Sequence, residues 1–255
     1  MDNGAREIAR AVRDQSYDYV FRWMALVGLI CLGAVVLWDF GFLSYVYIAD
    51  TSQISAIITG IFALLSIYCF YMLVAYSPEL RTLNTAIDEF TAGGELILAE
   101  TGIKVGNYVL PSNREVTEHL YDIMRKHRFD PEGSREILVQ SLNATLRARL
   151  RVGVITSDIL YKLGLLGTVV GFIVMLGSIS NLGEFEVSTM QAAMRAMSSG
   201  MAISLLTTIT GLVCGTLLRI QFLLAEGLVA TILQRTVRLT EVFIIPSLLK
   251  AKPSV

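Results

Sequence analysis

Apolar residues run almost unbroken over positions 22–46, 54–76, 156–180 and 197–224. Each run is long enough for a helix to cross a hydrocarbon core of roughly 30 Å, which takes about 20 residues. The pattern therefore predicts an all-α polytopic membrane protein with four transmembrane helices. Between the second and third runs the polar residues return. Ser77-Pro78 marks a bend or stop in the second helix, and a short helix is expected over 79–91. Residues 92–112 carry Gly93-Gly94, Gly102, Gly106 and Pro111 around the apolar runs Leu96-Ile-Leu and Tyr108-Val-Leu, which reads as a small hairpin. From Ser112-Asn113-Arg114-Glu115, a loose capping box, a helix continues to about Arg128.

Asp130-Pro131-Glu132 looks like a fresh helix start, with Asp130 as N-cap and Pro131 in the first turn. Nothing strong interrupts the pattern before about Gly177, so the third membrane helix begins well outside the bilayer and runs for roughly 45 residues, about 70 Å. Ile137, Leu138, Leu142, Leu146 and Leu150 lay a single apolar stripe along its polar half, and the stripe must pack either on neighbouring subunits or on the chain's own helices 79–91 and 113–128. The fourth helix continues into an amphipathic stretch over 225–245, and Pro246 is expected to end regular structure. Five regions result: an N-terminal amphipathic segment 1–21, a first transmembrane pair 22–76, a mostly helical polar domain 77–154, a second transmembrane pair 155–224, and a C-terminal helix and tail 225–255.

Composition agrees, with 54% hydrophobic residues, 17% charged and a mean hydropathy of +0.59. Charge orients the chain. Nineteen of the 21 Lys and Arg residues lie within residues 1–22, in 77–155 or from Arg219 onward, whereas the short connections 47–53 and 181–196 hold Asp50, Glu184 and Glu186. The positive-inside rule then puts both termini and the large loop in the cytoplasm, with the third and fourth helices extending into it. Residues 1–22 show no secretory leader pattern. Asp39, at the outer end of the first span, is expected at headgroup level. Cys31, Cys69 and Cys214 all fall within spans, far apart in sequence, and His119 and His127 read as solvated surface residues, so neither metal nor disulfide is expected. No set of nucleophile, base and orienter suggests an enzyme, and no feature suggests nucleic acid.

The chemistry concentrates in the last two spans. In the third, Gly164, Gly167 and Gly171 recur at helical spacing and open a groove for close backbone approach, with Thr168 on its border. In the fourth, Gly200, Ser204, Thr207/Thr208, Gly211 and Gly215 form a small and polar stripe. No carboxylate stands in the middle of any span, so if ions move, a partner must supply the acid.

Gly164-Leu-Leu-Gly-Thr168-Val-Val-Gly171 and Gly200-Met-Ala-Ile-Ser-Leu-Leu-Thr-Thr208-Ile-Thr-Gly211 resemble the MotA/TolQ/ExbB family of ion-channel subunits over roughly residues 155–225. Four spans with the large loop between the second and third look like its flagellar-stator branch. The resemblance implies a homopentameric ring in a bacterial inner membrane around two copies of a single-span partner with an essential Asp and a periplasmic domain. It also implies that ion flow past that Asp drives mechanical work, with no bound cofactor beyond a transient ion. Thr168 and Thr208 match the family threonines that line the path. Thr207 and Ser204 add oxygens, and the adjacent Thr207-Thr208 pair leans the expectation toward Na⁺ over H⁺. A non-conducting scaffold, or a subunit energising outer-membrane transport, are the alternatives. Two departures stand out. Tyr161-Lys162-Leu163 replaces a proline that often precedes the third-span motif, with Lys162 expected to snorkel or to pair with Asp158, and the 92–112 segment does not resemble rotor-contacting loops.

Overall fold

The computed structural model describes residues 3–50, 52–99, 102–129, 135–180 and 187–250. In chain order they form α1 (Asn3–Asp39), α2 (Phe42–Ala49), α3 (Ile54–Thr91), β1 (Leu96–Ala99), β2 (Gly102–Val105), β3 (Tyr108–Val109), α4 (Glu115–Phe129), α5 (Glu136–Ser180) and α6 (Val187–Arg238). A π-helical turn, Leu239–Ile244, then leads into α7 (Ile245–Lys250). Four stretches are apolar and long enough to cross a membrane: Asp18–Asp39, Ile54–Thr91, Glu136–Gly177 and Met190–Leu248. The protein is thus a multi-pass membrane protein.

Several boundaries differ from the sequence expectation, each for a local reason. The first span ends at Asp39 rather than near 46, because Gly41 adopts φ 71° and its N–H closes on the Trp38 carbonyl at 2.9 Å. A left-handed glycine terminates a helix at little steric cost. Pro78 does not stop α3. The helix runs through it to Thr91, and the flanking hydroxyls turn back onto the helix, Ser77 Oγ donating to the Leu73 carbonyl at 2.7 Å and Thr82 Oγ1 to that of Pro78 at 3.0 Å. Pro246 likewise does not end the structure: it is the second residue of α7, directly after the π-helical turn, where the Ile245 N–H still reaches the Thr240 carbonyl. The expected N-cap Asp130 lies outside the described residues, and α5 is seen from Glu136. The all-α reading needs one amendment: Leu96–Ala99, Gly102–Val105 and Tyr108–Val109 form a three-stranded antiparallel sheet in the order β1-β2-β3, not a single hairpin. The β2–β3 turn depends on Gly106 at φ 56°.

The chain packs as two compact units. One comprises Met1–Arg22, Phe70–Leu150 and Leu224–Val255. Its core includes Leu73, Leu80, Leu83, Ile103, Leu110, Leu120, Ile123, Leu146 and Leu150, all essentially without solvent exposure. Burial of such side chains is worth about 1.5–3 kcal/mol each where water is the alternative. Leu142, Leu146 and Leu150 are buried within the chain itself, so the α5 stripe packs at home, while Ile137 stays 71% exposed. Tyr76 donates to the Leu146 carbonyl at 3.3 Å, Arg149 pairs with Glu115 at 2.7 Å, and Phe90 stacks on Phe243 at 5.5 Å between centroids. His119 is not solvated: it is 7% exposed, and its Nε2 has no partner among the described residues. Burial holds its imidazole below the ordinary value, against the opposing pull of Asp122. His127 keeps a polar contact, its Nδ1 lying 3.4 Å from the Arg135 guanidinium.

The other unit comprises Trp23–Cys69 and Arg151–Leu223 and carries the glycine- and threonine-rich segments. Asp50 prepares the start of α3 by accepting from the Ser52 N–H at 3.1 Å and the Ser55 N–H at 2.7 Å. Burial alone would raise its pKa, yet the hydrogen bonds from Ser52 and Ser55 hold it below the usual carboxylate value.

Candidate functional site: the seam between α5 and α6

Close contact between α5 and α6 follows from the absence of side chains. A Cβ placed on Gly211 would lie 2.7 Å from the Gly164 Cα and 2.9 Å from the Leu160 carbonyl oxygen. One placed on Gly164 would lie 3.1 Å from the Gly211 Cα. Further along the seam, a Cβ on Gly167 would collide with the Thr207 side chain, and one on Gly171 with Ser204 Oγ. A Cβ on Gly200 would lie 2.7 Å from the Gly171 carbonyl oxygen, and one on Gly215 would lie 3.0 Å from the Tyr161 ring. All six glycines singled out in the sequence are therefore contact positions of one seam. In lipid such packing replaces the hydrophobic drive available in water.

The backbones approach so closely that hydroxyls on the two helices meet. Thr168 Oγ1 and Thr208 Oγ1 are 2.6 Å apart. Thr208 also reaches the Ser204 carbonyl at 2.8 Å and the Gly164 carbonyl at 3.3 Å, and Thr168 reaches the Gly164 carbonyl at 3.4 Å. Each hydroxyl has one proton, so the pair has two arrangements. Either Thr168 donates to Thr208 and Thr208 to a carbonyl, or Thr208 donates to Thr168 and Thr168 to the Gly164 carbonyl. Switching between them reverses the polarity of the pair without moving a heavy atom. Both threonines are partly exposed at one flank of the seam, where a further group can reach them.

Ser204 and Thr207 are placed differently. Ser204 Oγ donates to the Thr168 carbonyl at 3.1 Å, a second tie between the helices. Thr207 is fully buried against Gly167, and its hydroxyl donates to the Ile203 carbonyl at 2.7 Å on its own helix. Lys162 is exposed and does not take Asp158 as partner. Asp158 pairs with Arg219 at 3.6 Å, across the seam rather than along α5.

The family model of the MotA/TolQ/ExbB proton channel family matches residues 111–237, about half of the chain, and so contains the whole seam together with α4. The chain belongs to that family. No curated protein and no solved structure matches it. Membership in a channel family, four membrane-length helices and the paired hydroxyls agree on a membrane channel subunit. The matched region also starts well before the motifs seen in the sequence, taking in α4 and the polar half of α5. The direct Thr168–Thr208 bond had no sequence signal beyond both residues following a seam position by one.

Proposed function

We propose that this chain is the ion-conducting subunit of an ion-motive-force-driven membrane motor. Ions pass the Thr168–Thr208 pair beside an Asp supplied by a single-span partner with a periplasmic domain. The assembly is a homopentamer around two such partners in a bacterial inner membrane, surrounded by lipid, with both termini and residues 77–154 in the cytoplasm. The observation that carries this reading is the 2.6 Å hydroxyl pair, partly exposed at mid-seam in a chain without mid-span carboxylates. An oriented hydroxyl pair can pass a proton or lend oxygens to a cation, but it cannot itself hold the charge that energises a motor.

Of the two ions the proton is favoured. The Na⁺ expectation drew on Thr207 as an additional ligand, and the Thr207 hydroxyl is instead committed to the Ile203 carbonyl inside the seam. Two outward hydroxyls suffice for a proton relay and are few for a dehydrating Na⁺.

The test is flux in membrane vesicles from cells making the full chain with its partner, driven by an imposed proton or Na⁺ gradient. Thr208→Val and Thr168→Val keep shape and lose the hydroxyl, so flux should fall at least about tenfold, a barrier rise of about 1.4 kcal/mol, while the complex still assembles. Normal flux in both variants would leave the scaffold reading in place, and a Na⁺-dependent flux would reverse the choice of ion.

A further inference from the structure

The flank that carries Thr168 and Thr208 does not end there. On α5, Thr168, Tyr161 and Asp158 each follow a buried seam residue by one position, namely Gly167, Leu160 and Ser157. On α6, Thr208, Thr216 and Arg219 each follow Thr207, Gly215 and Leu218, also buried. One residue is a turn of about 100°, so all six side chains leave the seam on the same side. The helices are antiparallel, and the residues meet in pairs: Thr168 with Thr208 at 2.6 Å, Tyr161 Oη with Thr216 Oγ1 at 3.1 Å, and Asp158 with Arg219 at 3.6 Å. The second rung lies about 10.5–12 Å from the first along the helix axes and the third about 4.5 Å further, at 1.5 Å per residue. Between the first two rungs the flank is covered by Leu165 and Leu212, 64% and 52% exposed.

Resting on the function proposed above, we infer that this flank is the inner half of the ion path. Beyond the threonine pair the ion crosses a short apolar interval at Leu165 and Leu212, is received by the Tyr161–Thr216 hydroxyls, and leaves to the cytoplasm at the Asp158–Arg219 pair. The chemistry of the rungs is graded for release. Tyr161 and Thr216 each donate and accept, so they can reorient as a proton passes or offer two oxygens to a monovalent cation. Asp158 supplies negative charge at the mouth, and Arg219 beside it, with Lys162 one turn along α5, keeps that charge from trapping the cation. Conduction needs sites strong enough to accept an ion and weak enough to let it go. The leucine interval is the barrier that keeps the path closed to water between passages.

Ion flux in the same vesicles tests this, with a pH-sensitive dye and radioactive Na⁺ as probes. Asp158→Asn and Tyr161→Phe should each lower flux about tenfold, with complex yield and melting temperature unchanged. Asp158→Glu should restore most of it. Lys162 still stands one turn along α5 when Arg219 is removed and continues to moderate the Asp158 charge, so Arg219→Gln should reduce flux far less than Asp158→Asn, whereas a purely structural ion pair would suffer equally from loss of either member. Flux within about twofold of wild type in both Asp158→Asn and Tyr161→Phe, with Thr208→Val inactive, would overturn this exit and leave the threonine pair standing. Equal losses in Asp158→Asn and Arg219→Gln would overturn it in favour of a structural pair. Full flux in Thr208→Val would overturn both readings together.

Discussion

Gly211→Ala isolates what the seam contributes, because it alters no hydroxyl and no charge. The added Cβ would stand 2.7 Å from the Gly164 Cα, 2.9 Å from the Leu160 carbonyl oxygen and 3.0 Å from the Gly164 nitrogen. All three neighbours are backbone atoms that no rotamer change can move aside. Bringing 2.7 Å out to an ordinary contact of 3.4 Å requires the helices to move apart by about 0.7 Å at this point. Thr208 lies one turn away, so nearly the same separation reaches the hydroxyl pair and stretches 2.6 Å to roughly 3.3 Å, beyond a good O–H···O bond. Overpacking of this kind costs typically about 1–3 kcal/mol, against which alanine returns up to about 1 kcal/mol of helix propensity. Gly60→Ala is the matched control, since nothing lies within 4 Å of its Cβ position. Measured by thermal melting of the purified complex and by vesicle flux, Gly211→Ala should melt several degrees below Gly60→Ala and lose most of its flux. Equal melting temperatures and equal flux in the two variants would refute the argument that close backbone approach sets the hydroxyl geometry.

Two other perturbations follow from the geometry. His119 is buried with its imidazole held below the ordinary value of 6.5, so the unfolded chain binds more protons in the window beneath 6.5. Stability should therefore fall as pH drops through 6.5 and toward the lowered native value, and His119→Leu should flatten that portion of a melting-temperature profile; an unchanged profile would mean that His119 does not titrate on unfolding. Asp50→Ala removes the acceptor for the Ser52 and Ser55 N–H groups at the start of α3 and should cost about 0.5–2 kcal/mol by thermal melting. Because the Asp50 pKa is lowered, that contribution is present above the ordinary carboxylate value of 3.8 and is lost as pH falls through the native one, so the variant and wild type should converge in acid.

The amino-acid sequence by itself determined the number of membrane helices, since an apolar run of membrane length has no other stable use, and it determined which residues could line a seam, since Gly164, Gly167, Gly171, Gly200, Gly211 and Gly215 recur at helical spacing. It also contained the family motifs, and the family match agrees with them. What it could not decide is how two neighbouring hydroxyls divide their work. Thr207 and Thr208 are adjacent and chemically identical, yet a rotation of about 100° buries one against Gly167 and leaves the other 2.6 Å from Thr168. Only the register of α5 against α6 chooses between them. The same register pairs Asp158 with Arg219, 61 positions away, in place of Lys162 one turn along. His119 repeats the lesson outside the membrane-length helices, where its polar neighbours in sequence suggested solvent and the packing of α4 buried it. Local pattern specifies a helix and its faces; which face meets which partner is a property of the packed chain, and here the placement of the hydroxyls depends on it.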